Sequence, residues 1–238
     1  MCQLLGLSAN EPVDIEFSLM EFKYRAKSNY HGWGFGFLDG NNWKIIKEPS
    51  SLDDENINEE NFKFKSKIII GHIRLKSCGG KIHQNTHPFQ INNWIFAHNG
   101  TVSRIKTWPL EKYKPAGDSD SEYAFCHLLE KITLDVSEVN TIIKEEAAKI
   151  EVLGKFNCLM SDGERLYAYG DNSLYYVQRK SPFGFATLKD VHYKINLAEV
   201  KKPGEVVTIV ATEPLTSDEK WIRIEGLKIF ENGVIIEK

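Results

Sequence analysis

KIIIGHIRLKSCGGKIHQNTHPFQINNWIFAHNG, Lys67 to Gly100, is the stretch on which the reading of the fold turns. Its β-branched run Ile68-Ile69-Ile70 reads as a buried strand. A glycine-rich loop follows, Ser77 to Phe89, and then a second apolar segment ending on Asn99-Gly100, the dipeptide that a tight hairpin turn favours. On the N-terminal side, Cys2–Ala9 (CQLLGLSA) is a short apolar strand, and Asp14–Lys27 carries Ile15, Leu19, Phe22 and Ala26 at helical spacing. His31–Lys47 reads as a hairpin in which Gly32, Gly34 and Gly36 alternate with aromatics. Ser50–Lys65 is a polar loop with a helical piece. On the C-terminal side, helices are expected over about 120–131 and 137–153. The chain then turns to strands: a pair around Asp162-Gly163, LYYVQR, EVVTIVAT, and a hairpin on Asn232-Gly233. The order β, α, β-rich, two helices, β-rich does not alternate βαβα. An α+β fold with largely antiparallel sheets and helices on their faces is expected. With no internal repeat, low-complexity tract or linker, 1–238 reads as one domain.

Composition narrows the function classes. A chain of 238 residues can bury a full core without staples, and a formal net charge of -3 lacks the basic surplus of a nucleic-acid binder. No apolar run approaches the ~18 residues of a membrane span. The start MCQLLGLSANEP has no basic region before its apolar run, so no signal peptide is read and a cytoplasmic location is expected. Cys2, Cys78, Cys126 and Cys158 are widely scattered without a C-x-x-C pair, which suits reduced thiols; Cys126 and Cys158 sit among apolar neighbours as core residues.

Four motifs can carry chemistry, and each has a plain structural alternative. Met1 is normally removed before a residue as small as Cys2, leaving a cysteine with a free α-amine. An α-amine titrates at about 7.7–8.0 and can take a thiol proton without a histidine; alternatively Cys2 is merely the first residue of a strand. In GHIR, Arg74 at the strand end offers a planar fork for a carboxylate, or is a surface arginine. In AHNG, the Asn99 amide and Gly100 N–H can form an oxyanion hole, or the pair is a hairpin turn. In GDSDSE, Asp120 can accept from a substrate ammonium, while Ser119 and Glu122 fit a helix capping box; the two readings are compatible. GWGFG is no dinucleotide fingerprint, because Phe37 stands at the third glycine position. Its glycines mark a strand approached closely by another backbone or a ligand. His72, His83, His87 and His98 with Cys78 match no structural zinc spacing. No metal and no cofactor are expected.

Taken in order, Met-Cys, G-H-x-R, N-T-H-P-F (Asn85–Phe89), F-A-H-N-G (Phe96–Gly100) and S-D-S-E (Ser119–Glu122) resemble the class II glutamine amidotransferases, which are N-terminal-nucleophile hydrolases. The resemblance implies a four-layer αββα sandwich of two mostly antiparallel sheets. It also implies Cys2 as nucleophile with its α-amine as base, Asn99 and Gly100 as oxyanion hole, Arg74 on the glutamine α-carboxylate and Asp120 on its α-ammonium. Ser77 lies in the loop that lines the glutamine pocket in relatives. Glu205–Trp221 resembles the E-P-L segment of the stand-alone branch without a synthase domain. Leu75 and Phe89 depart from the large synthases in the same direction. The implied activity is hydrolysis of the glutamine side-chain amide through a γ-glutamyl thioester, releasing ammonia for a separate acceptor enzyme. Two alternatives stand beside it: hydrolysis of another γ-glutamyl amide, and a non-catalytic glutamine-binding module.

Overall fold

The computed structural model describes residues 2–53, 59–75 and 80–237. In chain order the elements are β1 (Gln3–Val13), α1 (Glu16–Arg25), β2 (Trp33–Asp39), β3 (Asn42–Glu48), β4 (Ser66–Ile73), β5 (Phe89–Ile91), β6 (Trp94–Thr101), α2 (Asp120–Leu134) and α3 (Val139–Glu151). They continue with β7 (Lys155–Ser161), β8 (Arg165–Gly170), β9 (Tyr175–Lys180), β10 (Phe185–Thr187), β11 (Lys194–Asn196), α4 (Leu197–Val200), β12 (Val206–Ala211), β13 (Ile222–Arg223), β14 (Gly226–Glu231) and β15 (Val234–Glu237). One sheet runs β13-β9-β12-β1-β4-β2-β3 and the other β15-β14-β8-β7-β6-β5, with antiparallel pairing throughout both. β10 and β11 form a separate two-stranded ribbon.

Alternation along the strands builds the layers. Leu5, Leu7 and Ala9 of β1 face one side of the first sheet and pack with Phe22 and Ala26 of the α1 segment. Leu4 of β1, Ile68 and Ile70 of β4, and Val210 of β12 face the other side and meet Ile95, Ala97, Leu159 and Ala168 of the second sheet. The outer face of that second sheet, with Phe96, Cys158, Met160 and Tyr167, is covered by Phe125, Leu128 and Leu129 of α2 and by Ile143, Ala147 and Ile150 of α3. This is the α+β, four-layer αββα sandwich that the motifs imply. The central strand is buried on both faces, which explains why CQLLGLSA lacks the polar alternation of a half-exposed antiparallel strand.

The Asn-Gly turn at the end of β6 does not occur. Asn99 and Gly100 lie within the strand, opposite Asn157 and Phe156 of β7. The turn falls earlier, on Asn92-Asn93 between β5 and β6, where Asn92 adopts φ 53, a conformation that asparagine tolerates. A Cβ on Gly100 would lie 1.8 Å from the Lys155 carbonyl oxygen, so glycine is there to let β7 come close. The hairpin on Asn232-Gly233 does form, with both residues at positive φ. Four short elements, β10, β11, α4 and β13, carry no pattern strong enough to be expected from sequence.

The glycines of GWGFG mark close approach, as their alternation suggests: another backbone crosses Gly34, and a side chain fills the space beside Gly36. A Cβ on Gly34 would sit 2.2 Å from the His87 carbonyl oxygen, and one on Gly36 1.9 Å from Ile95. Gly34→Ala is therefore expected to cost about 1–3 kcal/mol of unfolding free energy, an overpacking penalty. Gly184→Ala, with no atom within 4 Å of the added carbon, should stay within about 0.5 kcal/mol of wild type. Urea denaturation of the two variants checks this; equal midpoints would contradict it.

Candidate active site

Cys2 precedes the first residue of β1 and shares the parity of Leu4, so its side chain belongs to the space between the sheets. Its Sγ is held by the backbone of one residue: Leu75 N–H donates to it at 3.2 Å, and the thiol donates to Leu75 O at 3.3 Å. Leu75 is delivered by β4, which pairs with β1 through Gln3↔Ile73 and Leu4↔His72. Arg74 follows the last residue of β4. It is not a surface arginine: it is 4% exposed, and its Nη1 donates to Gly80 O at 3.0 Å.

The loop that carries Gly80 is tied across to the start of α2. Asn85 Nδ2 donates to the same Gly80 O at 3.1 Å and to the Asp118 carboxylate, and Asn85 Oδ1 accepts from Asp118 N at 2.9 Å. The capping box is half formed. Ser119 Oγ accepts from Glu122 N at 3.1 Å, worth about 1 kcal/mol. The Glu122 carboxylate reaches further back, to the N–H groups of Ala116 and Gly117 at 3.0 and 2.8 Å. The cap leaves Asp120 in the first turn, 4% exposed, with Oδ2 accepting from Val102 N at 2.7 Å.

Cys2, Arg74, Leu75, Asn85, Gly100 and Asp120 thus line one cavity, together with His87, His98, Ser119 and Ser121. Its volume is about 20 Å³, room for about one water. Asn99 adjoins it on the strand that carries Gly100. Being of opposite parity to His98 and Gly100, Asn99 projects between the sheets, where Nδ2 donates to Thr212 Oγ1 at 3.3 Å. The four residues Cys2, Arg74, Gly100 and Asp120 therefore converge, with Asn99 alongside. Ser77 lies outside the described residues, as does Cys78. Cys126 and Cys158 are core residues: burial pushes the Cys126 thiol up to about 12 and raises that of Cys158 further.

Comparison with known proteins gives the family. The family model for class II glutamine amidotransferases matches residues 1–238. The chain belongs to that family. It is 36% identical over 240 residues to Escherichia coli YafJ, named for a proposed glutamine amidotransferase activity, covering 94% of each protein. It is 30% identical over 153 residues to the gamma-glutamyl-hercynylcysteine sulfoxide hydrolase of Mycobacterium tuberculosis, covering 60% of each. A crystal structure of a predicted glutamine amidotransferase from Pseudomonas aeruginosa superimposes with a TM-score of 0.75 at 29% identity, covering the whole of both chains. The chain is thus an enzyme of a family that hydrolyses glutamine amides. Among the described residues, no helix is long and apolar enough to cross a membrane.

Around the cavity that Cys2 lines, the electrostatics are governed by burial. Burial pushes the Cys2 thiol up from its ordinary range, opposed by the Leu75 N–H and the Arg74 guanidinium. Three of the histidines weighed as zinc ligands gather behind it. His72 and His87 lie tilted against each other with ring centroids 4.1 Å apart, and among the described residues neither ring has a hydrogen-bond partner. Burial, with Arg74 nearby, holds His72 at about 3, and burial lowers His87 strongly in the same direction. His98 Nε2 donates to Lys155 O at 3.1 Å, which leaves Nδ1 to accept from Ser121 Oγ at 2.9 Å. Burial lowers its pKa as well. His83 is exposed and apart. Among the described residues no three His, Cys, Asp or Glu side chains are placed to hold a metal ion. Sequence reasoning missed Asn85, Asn157 and Thr212, polar residues in motifs or strands read for their backbone. The one available signal was an asparagine or threonine embedded among residues destined for the core.

Native His72 stays neutral down to about pH 3, whereas the unfolded chain protonates it near pH 6.5. Between those values the unfolded state binds more protons, so the contribution is complete above pH 6.5 and is lost progressively as pH falls. His72→Phe keeps a ring and removes the titration. Calorimetric melts from pH 7 to 5 should show wild type losing more stability than His72→Phe, by up to about 1.4 kcal/mol per pH unit. Parallel pH profiles would refute the buried neutral imidazole.

Proposed function

We propose that the protein hydrolyses the side-chain amide of glutamine with Cys2, exposed as the first residue by removal of Met1, and supplies the ammonia to a separate acceptor enzyme. The observation that carries this reading is the convergence of Cys2, Arg74, Gly100 and Asp120 on one cavity, from four segments far apart in sequence. The Cys2 α-amine takes the thiol proton as Sγ attacks the amide carbon. The Asn99 amide and Gly100 N–H receive the oxyanion, and the Arg74 fork and Asp120 carboxylate grip the α-carboxylate and α-ammonium. Collapse breaks the C–N bond, the α-ammonium returns its proton to the leaving nitrogen, and ammonia departs. Water, deprotonated by the same amine, then cleaves the γ-glutamyl thioester to glutamate and free thiol.

A second reading keeps the apparatus and changes the leaving group. It is supported by the similarity to the Mycobacterium tuberculosis γ-glutamyl hydrolase. Arg74 and Asp120 grip the α-groups that any γ-glutamyl amide presents and do not distinguish the two substrates.

The test is intact mass and peptide mapping after treatment with a diazo-ketone norleucine, a reactive glutamine analogue, alongside ammonia assays. One adduct on an N-terminal Cys2, blocked by excess glutamine, is expected. Cys2→Ala should abolish ammonia release, and Cys126→Ala should leave it nearly unchanged. Activity surviving Cys2→Ala, or Met1 retained in protein from its native source, would reject the mechanism. A processed but unlabelled Cys2 with faster turnover of another γ-glutamyl amide would select the second reading. Tight glutamine binding without turnover would select the non-catalytic module.

A further inference from the structure

A closed ring of hydrogen bonds that the reaction scheme does not use runs through the side-chain amide and the backbone carbonyl of Asn99. Asn99 Nδ2 donates to Thr212 Oγ1 at 3.3 Å, and the Thr212 carbonyl accepts from Ser173 Oγ at 3.1 Å. Ser173 N donates to Asn157 Oδ1 at 3.1 Å, and Asn157 Nδ2 closes the ring on Asn99 O at 3.2 Å. Asn157 Oδ1 also accepts from the N–H groups of Asp171 and Asn172. Thr212 is 0% exposed, and its hydroxyl has a second duty: Leu4 N donates to it at 2.8 Å, two residues from the nucleophile. The backbone repeats the link, with Thr212 N donating to Leu4 O at 3.2 Å. One hydroxyl therefore touches the strand that carries Cys2 and the side chain on the facing sheet.

We propose that Thr212 is the positioning residue of the oxyanion hole. Its hydroxyl accepts one of the two Nδ2–H groups of Asn99 and so aims the other at the developing oxyanion, while its bond to Leu4 fixes that amide relative to Cys2. The inference rests on the amide-hydrolase reading above. A threonine is needed rather than valine of the same shape, because only a hydroxyl offers lone pairs to both donors. Preorganised donors accelerate acyl transfer only if they already point where charge develops.

The experiment compares two reactions of Cys2 in the full chain. Amide hydrolysis passes through an oxyanion, whereas alkylation of Cys2 by iodoacetamide does not. Thr212→Val is expected to lower kcat for glutamine roughly 10- to 100-fold, somewhat less than outright removal of an oxyanion donor, with KM and the alkylation rate each within about twofold of wild type. Thr212→Ser should recover kcat to within about threefold, since it restores the same acceptor. On an Asn99→Ala background, Thr212→Val should change kcat by less than about threefold, because the two residues act as a unit. If Thr212→Val does not fold, Thr212→Cys, a weaker acceptor at the same place, should give the same split at smaller size. An unchanged kcat, a parallel fall in hydrolysis and alkylation, or an equal effect on the Asn99→Ala background would each overturn the inference. A wild type that hydrolyses no γ-glutamyl amide would instead overturn the functional reading, and this inference with it.

Discussion

Hydrogen bonding along both edges of β1 fixes where Cys2 can be. The strand pairs with β4 on one side and β12 on the other, in registers that place Leu4 opposite His72 and Leu5 opposite Ala211. A slip of one residue in either ladder would turn Leu4 toward α1 and carry Cys2 to the other face. Such a slip would also drive Leu5 and Leu7 into the gap between the sheets and lose the packing of both faces. The large apolar area on each side thus enforces the register, and the register places Cys2, Leu75 and Thr212 within reach of one another. The same strand that closes the core sets the geometry of the site.

The second sheet supplies the other half by the same rule. In β6, Phe96, His98 and Gly100 face α2, while Ile95, Ala97 and Asn99 face the first sheet. An asparagine at the inward position is an expensive choice, since a buried amide without partners costs on the order of 1–3 kcal/mol. Here Thr212 Oγ1 accepts from the amide, while Asn157 Nδ2 donates to the backbone carbonyl of the same residue. Gly100 is required because β7 runs too close for any side chain, which also leaves the backbone of the neighbouring cavity wall uncovered.

Much of this was legible in the sequence. The long elements follow from their periodicity, and Cys2, Arg74, Asp120 and Gly100 follow from the ordered motifs. What was not legible has identifiable physical causes. Asn99-Gly100 carries a strong local turn signal, yet cross-strand pairing with β7 overrides it. Thr212 ends a β-branched strand, where threonine is unremarkable; its role depends on Leu4 and Asn99, distant in sequence and joined only by the sandwich. Asn85 reads as a loop residue until its bonds to Gly80 and Asp118 show it tying two loops together across the cavity. Ribbon β10-β11 and strand β13 are too short for any period to register.

The choice of base follows from the same burial. A thiol whose pKa is raised by desolvation is neutral at physiological pH, so in the proposed reaction Cys2 loses its proton as it attacks. The imidazoles closest to it are poor recipients. His72 and His87 are held far below their ordinary range, and a base is effective only when its pKa lies near the working pH. His98 has both ring nitrogens engaged, by Lys155 O and Ser121 Oγ, and its pKa is lowered too. Among the described residues, a cysteine–histidine pair of the kind that generates a thiolate in other thiol hydrolases is therefore not assembled, although His87 and His98 line the same cavity. An α-amine on Cys2 itself meets the requirement: it titrates near neutrality at about 7.7–8.0 and needs no further residue to carry it to the thiol. Held neutral, the buried His72 and His87 add no second cation beside Arg74.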